Sequence, residues 1–291
     1  MANPHCPWGG ASLFRFPHPG IASGGVGRQG SDMLEDDFTY VLRKSLLGHS
    51  LSPAAAAQRA GIPEPEVLAF LRGSFSAETA RSLAPVLGLN ARAFAGHAVY
   101  QPAAMAVEGI ERLDLPFGRD RVNAWLVMAG DSLVLFDAGC EAEDLLRELE
   151  TRGRMPDRVF ITHAHHDHVG ALPHLLRSGV PVHAAGIQGT IPMKPGDGVF
   201  CGPLLVRACD LSGHADPALG FHLEGLSRPV LVTGDALFAG SIGGCGSPQI
   251  YQYALRRLRE VLEPLPDETV LLPGHGPATT LGEERVSNPF L

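Results

Sequence analysis

The residues with the clearest chemical potential form one cluster near the middle of the chain. His163, His165, Asp167 and His168 fall within six positions. Neutral imidazoles and a carboxylate are donors that zinc and iron take in proteins. Because His163 and His165 are two positions apart on an extended segment, both can face one ion, while Asp167 and His168, past a bend, can face a second. The cluster predicts a metal site, and an exposed polar loop is the alternative.

The flanking elements predict where this cluster lies. Apolar residues 159–161 predict a short buried strand, and residues 171–177 predict a helix. The cluster would then occupy the turn at the carboxyl end of the strand, where α/β sheets place their ligands. His166 falls out of phase with the other histidines and is expected at the surface or beside a ligand.

Three further candidate donors occur downstream, each at the end of a predicted strand. They are His214 after residues 204–208, Asp235 after residues 229–234 and His275 after residues 270–274. A single accidental motif would not place every donor at a strand end.

Together these motifs resemble the HxHxDH signature and the later ligands of the metallo-β-lactamase superfamily, from about residue 107 to the C-terminus. The resemblance implies an α/β fold of the four-layer αβ/βα type, with a catalytic domain at residues 106–291. Residues 110–136 predict three antiparallel strands at its start. Asp137, which ends the third strand, matches the family's acid that orients the site, and a simple turn cap is the alternative.

The resemblance also implies roles for the donors. It implies two divalent ions, zinc in the first place, with iron or a mixed pair as alternatives. His163, His165 and His214 would hold the first ion, Asp167, His168 and His275 would hold the second, and Asp235 would bridge them. Asp167 and Asp235 are thereby expected as catalytic carboxylates, and a metal-bridging hydroxide would cleave an ester or thioester of a small molecule.

Sequence around the bridging aspartate narrows the branch of the family. A bridging carboxylate resembles glyoxalase II and lactonase enzymes, whereas true β-lactamases lack it. Residues 234–241 also resemble the glyoxalase II branch, which predicts hydrolysis of the hydroxyacylglutathione type. Two departures put glutathione itself in question: residues 244–246 read Gly-Cys-Gly where that branch has Arg and Asp, and its helical C-terminal region is not present after His275.

Two other functions fit the same residues. Related persulfide dioxygenases hold one Fe(II) through two histidines and an aspartate, here His163, His214 and Asp235. A regulator that binds DNA through its N-terminal helices and senses a ligand at the metal domain is the other alternative.

The region before the catalytic domain divides into two parts. Residues 1–35 are rich in Gly, Pro and Ser and are expected to be disordered, and Met33 is a candidate translation start. Residues 36–98 predict a small all-α domain that resembles a helix-turn-helix of the phage-repressor type. Glu64 and Glu66 begin its second helix, where contacts to nucleic acid would be made, so we favour packing or homodimerisation over DNA binding.

Composition limits the classes of function that remain possible. The 291 residues carry a net charge of −8, which disfavours general affinity for nucleic acid or anionic membrane. No apolar run reaches the roughly 18 residues of a membrane span. The five cysteines are scattered and no secretory signal is recognisable, which predicts a cytoplasmic protein with reduced thiols. Cys245 lies near the predicted site and is a candidate reactive thiol. His49 and His97 are expected at the surface.

Overall fold

The computed structural model describes residues 33–291. The predicted disordered segment therefore lies mostly outside the described residues, at positions 1–32. Residues 33–35 are described, and they lead directly into the first helix beside the predicted metal site. The translation start at Met33 stays a prediction.

The first half of the catalytic region forms a six-stranded sheet in chain order. Its strands are β1 (Ile110–Phe117), β2 (Asp120–Ala129), β3 (Ser132–Phe136), β4 (Arg158–Phe160), β5 (Val182–Ala184) and β6 (Ile191–Pro192). β1 to β3 are antiparallel, as the turn residues between these apolar runs predict, and β3 to β6 are parallel. The carboxyl ends of β3 and β4 therefore lie side by side.

The second half forms another six-stranded sheet, whose order is β14-β13-β10-β9-β8-β7. Its strands are β7 (Gly198–Cys201), β8 (Leu204–Asp210), β9 (Leu219–Glu224), β10 (Val230–Gly234), β13 (Val270–Pro273) and β14 (Thr279–Thr280). A small hairpin, β11 (Leu237–Phe238) and β12 (Ser241–Ile242), follows β10. Since β10 and β13 are parallel neighbours, their carboxyl ends meet at one edge.

The two sheets pack face to face, with helices on both outer sides. Val230 and Val232 point into the core between the sheets, whereas Leu231 belongs to the core on the outer side, as strand alternation requires. Four helices cover the outer faces: α6 (Ala142–Thr151) and α8 (Leu172–Arg177) on the first sheet, α9 (Pro248–Leu262) and α10 (Leu281–Ser287) on the second. A one-turn helix, α7 (His166–Val169), carries part of the histidine cluster. The four-layer α/β architecture is confirmed.

Helices fill the region before the sandwich. They are α1 (Phe38–Gly48), α2 (Pro53–Ala60), α3 (Glu64–Leu71), α4 (Ala77–Leu83) and α5 (Ala91–Gly96). We call these five helices the helical module. Their apolar side chains form one core with α9, α10 and the outer face of the second sheet, so this module packs onto the catalytic region. Whether it is a domain in its own right stays a prediction.

The end of this module departs from expectation at one histidine. Helix α4 ends at Leu83, because Pro85 has no N–H to continue it, and a short 3-10 turn follows. His97, expected at the surface, is 2% exposed and lies at the end of α5, a helix capped by Asn90 that the sequence pattern missed. His49 is half-buried and its Nε2 bonds the Leu87 carbonyl.

No helix in the described part of the chain, residues 33–291, has both the length and the apolar character that crossing a membrane would take.

Candidate metal centre

The predicted donors lie at one edge of the sandwich because of the strand directions. His163 follows β4, and Asp235 and His275 follow the parallel pair β10 and β13. Backbone hydrogen bonds join the two sheets at this edge, from Leu219 N–H to the Thr162 carbonyl (2.8 Å) and from Asn123 N–H to the Gly274 carbonyl (2.7 Å). The donors from the two sheets are thereby brought together.

The first group of donors consists of His163, His165 and His214. The Nδ1 atom of His165 lies 3.1 Å from His163 Nε2 and 3.0 Å from His214 Nε2. Three ring nitrogens at these separations can bind one ion, and all three lie within 4.8 Å of one another. His163 is buried, whereas His165 is exposed.

The second group consists of Asp167, His168 and His275. Their donor atoms also lie within 4.8 Å of one another, and His275 Nε2 is 3.4 Å from Asp167 Oδ2. His168 is fully buried and Asp167 is the most accessible of the three.

Asp235 lies between the two groups. Its Oδ2 atom is 3.4 Å from His214 Nε2 and 3.5 Å from His275 Nε2, while Oδ1 is 3.2 Å from His168 Nε2. One carboxylate thus contacts a member of each group, which is the arrangement that a ligand shared by two ions requires.

The far nitrogens of four rings are held by hydrogen-bond acceptors. His168 Nδ1 donates to Asp137 (2.8 Å), and His163 Nδ1 donates to the Thr162 hydroxyl (3.0 Å), which itself donates to Asp137 (2.9 Å). The other two bonds run from His214 Nδ1 to the Gly244 carbonyl (2.9 Å) and from His275 Nδ1 to the Arg121 carbonyl (2.7 Å). Since these acceptors hold the Nδ1 atoms, the Nε2 atoms face the centre, as metal binding through Nε2 requires.

Asp137 therefore does more than end a turn. Its backbone has a φ of +60°, in the left-handed region, and its carboxylate also accepts the Thr162 N–H (2.7 Å). It orients His163 and His168 together, which matches the role that the resemblance implies. Thr162 was not singled out in the sequence, although its place directly before the first histidine was the available signal.

The centre fits a metal ion on its own chemistry. Asp235 Oδ1 and His168 Nε2 are buried and make no hydrogen bond of normal geometry. A cation bound between this buried carboxylate and the imidazoles would satisfy both of these atoms. A side chain at Gly274 would place its Cβ 2.1 Å from Asp235 Oδ1 and 2.7 Å from His168 Cε1, so glycine keeps this space open.

The pKa values agree with ligand roles. Burial, together with the nearby His168 imidazole, lowers the pKa of His163 well below its ordinary value, and burial also lowers that of His214. Burial raises the pKa of Asp235, but His275 and His168 outweigh it and hold that pKa well below the ordinary range. Burial also lowers the pKa of His168 and His275, but Asp235 outweighs it, raising that of His168 to about 10 and that of His275 well above its ordinary value. At neutral pH the metal-free centre therefore offers neutral imidazoles at His163 and His214 and an ionised Asp235, whereas His168 and His275 would each release a proton when an ion binds.

The mouth of the centre has features that the sequence did not reveal. Phe117 and Phe238 flank the ring of His275, at 6.4 Å and 5.8 Å between ring centroids. The Glu35 carboxylate lies 3.9 Å from His275 Nδ1, and burial raises its pKa to about 7. Glu35 could not be found from sequence, because only the packing of the helical module brings it to the centre.

The remaining candidates lie outside the donor set. His166 is exposed, with its Nδ1 3.2 Å from the Cys140 thiol, and His183 stacks on Phe160. The hypothesis that Cys245 is a reactive thiol is not supported, because burial raises its pKa to about 11. All seven donors predicted from sequence are thus brought together, and the histidines set aside are not among them.

Known proteins are similar to more than half of this chain. The sequence profile of the metallo-beta-lactamase superfamily matches residues 117–202. The chain is 29% identical over 205 residues to the probable metallo-hydrolase YqgX of Bacillus subtilis, an alignment that covers 61% of this chain and 95% of the relative. It is 30% identical over 184 residues to hydroxyacylglutathione hydrolase GloC of Haemophilus influenzae, with 54% of this chain and 86% of the relative covered.

A solved structure shows the same similarity. The structure of TTHA1623 in a di-iron-bound form is 32% identical, with a TM-score of 0.52, and the alignment covers 62% of this chain and all of that one. The family profile does not extend over the helical module.

Proposed function

Because the chain belongs to the metallo-beta-lactamase superfamily and is a hydrolase, we propose that it cleaves the ester or thioester bond of a small molecule, in the manner of hydroxyacylglutathione hydrolases. The observation that carries this proposal is the convergence of seven donors in two groups that share Asp235. The four described cysteines are free, which supports a reducing compartment such as the cytoplasm.

We propose the following division of roles. His163, His165 and His214 would hold one divalent ion, Asp167, His168 and His275 would hold the second, and Asp235 would serve both. When bound, such a pair supplies Lewis-acid activation of water and of a carbonyl group. Zinc is the metal we propose first, and the di-iron-bound form of a similar protein supports iron as the alternative.

The protein's own residues prepare this chemistry. Asp137, Thr162 and the carbonyls of Gly244 and Arg121 fix four imidazoles before any ion binds, so little reorganisation is needed. His275 helps hold the pKa of Asp167 below its ordinary value although burial opposes it, so this aspartate acts as a carboxylate and not as a proton donor.

The mouth supports a choice among substrates. Above about pH 7, where Glu35 is ionised, its carboxylate next to His275 would repel a substrate that brings its own negative charge to that side, and Phe117 offers an apolar wall. We therefore propose that neutral or cationic leaving groups are preferred to glutathione, whose two carboxylates are disfavoured there.

The proposal is tested on purified full-length protein and its His214→Ala variant. We expect two divalent ions per chain by elemental analysis, and thioester hydrolysis that the substitution lowers at least about a hundredfold. His183→Ala is the matched control, because this buried imidazole packs on Phe160 outside the centre and its loss should leave metal content unchanged. Full activity in His214→Ala, or in protein stripped of metal, would refute the assignment.

The same preparation separates the two other functions. A single iron per chain with oxygen uptake on a persulfide, and no thioester hydrolysis, would replace the hydrolase by a dioxygenase. A DNA-dependent mobility shift at low salt would support a regulator. We expect no shift, because Glu64 and Glu66 are exposed at the start of α3, where they would face phosphates.

A further inference from the structure

The loop that follows Asp235 is in direct contact with two proposed ligands. The backbone of Gly243 packs so closely that a Cβ there would lie 1.9 Å from the Asp235 carbonyl and 2.8 Å from His214 Cβ. The next residue, Gly244, accepts the hydrogen bond of His214 Nδ1. Residues 243–244 therefore set the position of His214 and of the Asp235 backbone, and whatever fixes this loop also fixes the centre.

The helical module holds the residues just before this loop. Lys44 Nζ, from α1, donates to the Ile242 carbonyl (2.7 Å) and forms an ion pair with Asp36. The Ser241 hydroxyl donates to the same Asp36 carboxylate. His97 Nε2 donates to the Gly240 carbonyl (2.9 Å). Residues 240, 241 and 242 of the hairpin are therefore bound by three different side chains of the N-terminal region: His97, Asp36 and Lys44 respectively.

These contacts lie largely out of solvent, which favours one geometry for them. Asp36 is 4% exposed and Ser241 is fully buried, while the Lys44 ammonium also lies over the ring of Phe238, 5.6 Å from its centroid. A buried charge pair has one favourable geometry, because water cannot replace either partner when the pair separates. Its position therefore determines the position of the hairpin carbonyl that Lys44 binds.

The same stretch of chain contacts the second donor loop. Glu35, next to Asp36, lies 3.9 Å from His275, and its N–H and the Met33 carbonyl pack against Gly276. The segment that enters α1 thus meets both loops, one carrying Asp235 and the other His275. No local sequence signal requires this, because the bonded residues are about two hundred positions apart.

We propose that Asp36 and Lys44 are positioning residues of the metal centre: their ion pair holds Ser241 and Ile242 so that the loop at residues 243–244 keeps Asp235 and His214 in place for metal binding. On this view the helical module supports the metal centre and is not a separate DNA-binding domain. The inference rests on the proposed metal centre, but it does not depend on which bond the enzyme cleaves.

The test compares substitutions on α1 in the full-length protein. Lys44→Met removes the ammonium and keeps an unbranched chain, and Lys44→Arg keeps a donor and a charge. The double variant Asp36→Asn with Lys44→Met removes the pair without leaving one buried charge alone. Arg43→Met is the matched control, since the neighbouring Arg43 donates to the Leu71 carbonyl inside the module.

Two readouts are independent of activity. The first is the affinity for zinc, measured by competition with a chromophoric chelator, together with the absorption spectrum of the cobalt(II) protein, which reports the ligand geometry. The second is amide hydrogen exchange of residues 240–244 in metal-free protein. We expect Lys44→Met and the double variant to lose at least about tenfold in affinity, to change the cobalt spectrum and to exchange faster at these amides. Lys44→Arg should restore most of each property.

Defined results would overturn the proposal. One such result is that Lys44→Met and the double variant both keep the wild-type zinc affinity, cobalt spectrum and hydrogen exchange. Another is that Arg43→Met loses as much zinc affinity as Lys44→Met. If Lys44→Met does not fold, Ser241→Ala removes one hairpin contact without touching the charge pair and should show the same effects to a smaller degree. If the wild-type protein itself retains no ion, the proposed function fails, and hydrogen exchange of the metal-free protein still decides whether the ion pair orders the loop.

Discussion

At the scale of single residues, Asp137 determines which nitrogen of His168 faces the centre. Its carboxylate accepts the Nδ1 proton of His168 and, through Thr162, orients His163. A carboxylate in this place also makes the imidazole a better donor, because it stabilises positive charge on the ring when the other nitrogen binds a cation.

Replacement of this acid gives a first prediction. Asp137→Asn should lower zinc affinity about 10- to 100-fold, because an amide accepts the same proton more weakly and leaves the ring less basic. The affinity is measured by chelator competition. Asp157→Asn is the control, since that exposed carboxylate caps the Leu133 N–H outside the centre. Unchanged affinity in Asp137→Asn would mean that the acid only ends a turn.

Cysteine reactivity gives a second prediction at this scale. Cys245 should react slowly with iodoacetamide at pH 7.5, because burial raises its pKa to about 11 and leaves almost no thiolate. Cys140 is more accessible and its sulfur lies 3.2 Å from His166 Nδ1, so it should be labelled first. Peptide mass spectrometry over time measures both rates, and faster labelling of Cys245 would contradict the burial argument.

At the scale of elements, the hairpin β11–β12 is held from the C-terminal side as well as by the module. The buried carboxylate of Glu284, on α10, accepts the Gly240 N–H (2.8 Å) and the Asn288 amide (2.9 Å) through one oxygen. Its other oxygen accepts the hydroxyls of Tyr100 (2.6 Å) and Thr279 (2.9 Å). One side chain thereby joins the hairpin, β14, α10 and the segment that follows the module.

This network gives a third prediction. Glu284→Gln should lower the free energy of unfolding by about 1–3 kcal/mol, because the amide NH2 that replaces one carboxylate oxygen cannot accept the two hydrogen bonds that this oxygen accepts. Urea unfolding measures the change. Glu283→Gln is the control, since its carboxylate is less buried and binds only at the edge of the network. A loss in Glu283→Gln as large as that in Glu284→Gln would refute the special role of Glu284.

The pH dependence of stability follows from the same residue. Burial raises the pKa of Glu284 above the ordinary 4.5, although its hydrogen-bond donors oppose the shift. The folded protein then keeps this proton to a higher pH than the unfolded chain does, so its contribution to stability decreases as the pH rises above about 4.5. Glu284→Gln should lack this part of the pH profile in the same urea measurements.

Sequence could predict those elements whose signals are local. Turn residues or a proline stand directly at the ends of two such elements, the strand Ser132–Phe136 and the helix Glu64–Leu71, so the sequence could predict both. The seven predicted donors could be chosen because they occur in short recognisable motifs that follow predicted strands. In contrast, α5 is only six residues long, and the hairpin β11–β12 has two-residue strands, too short for any periodicity to be read.

The contacts that complete the centre could not be predicted in this way. Lys44 and Asp36 lie 198 and 205 positions from the hairpin residues they bind. Their role depends on how the module packs, and a Lys within a helix or an Asp just before one is an ordinary surface feature in sequence. The buried position of His97 was missed for the same reason.

At the scale of the whole molecule, the module and the catalytic region meet where α1 crosses α9. Gly48 packs against the ring of Tyr251, which is itself buried. Because the apolar core continues across this contact, the two parts should unfold together.

This crossing gives a fourth prediction. Gly48→Ala would place a Cβ 2.4 Å from the Tyr251 ring, so it should lower the free energy of unfolding by about 1–3 kcal/mol. Gly96→Ala is the control, because no atom lies within 4 Å of its added Cβ. We expect one cooperative transition by urea in both variants. An early separate transition of the helices in Gly48→Ala would show instead that the module is an independent unit.

The placement of donors on both sheets has a kinetic consequence. His168 follows a strand of the first sheet and His275 a strand of the second, so an ion bound by both cross-links the two halves of the sandwich. The halves cannot separate while that cross-link persists. The lifetime of the loaded enzyme at high temperature should therefore follow the rate at which the ion dissociates, and metal-free protein should denature faster than the loaded form.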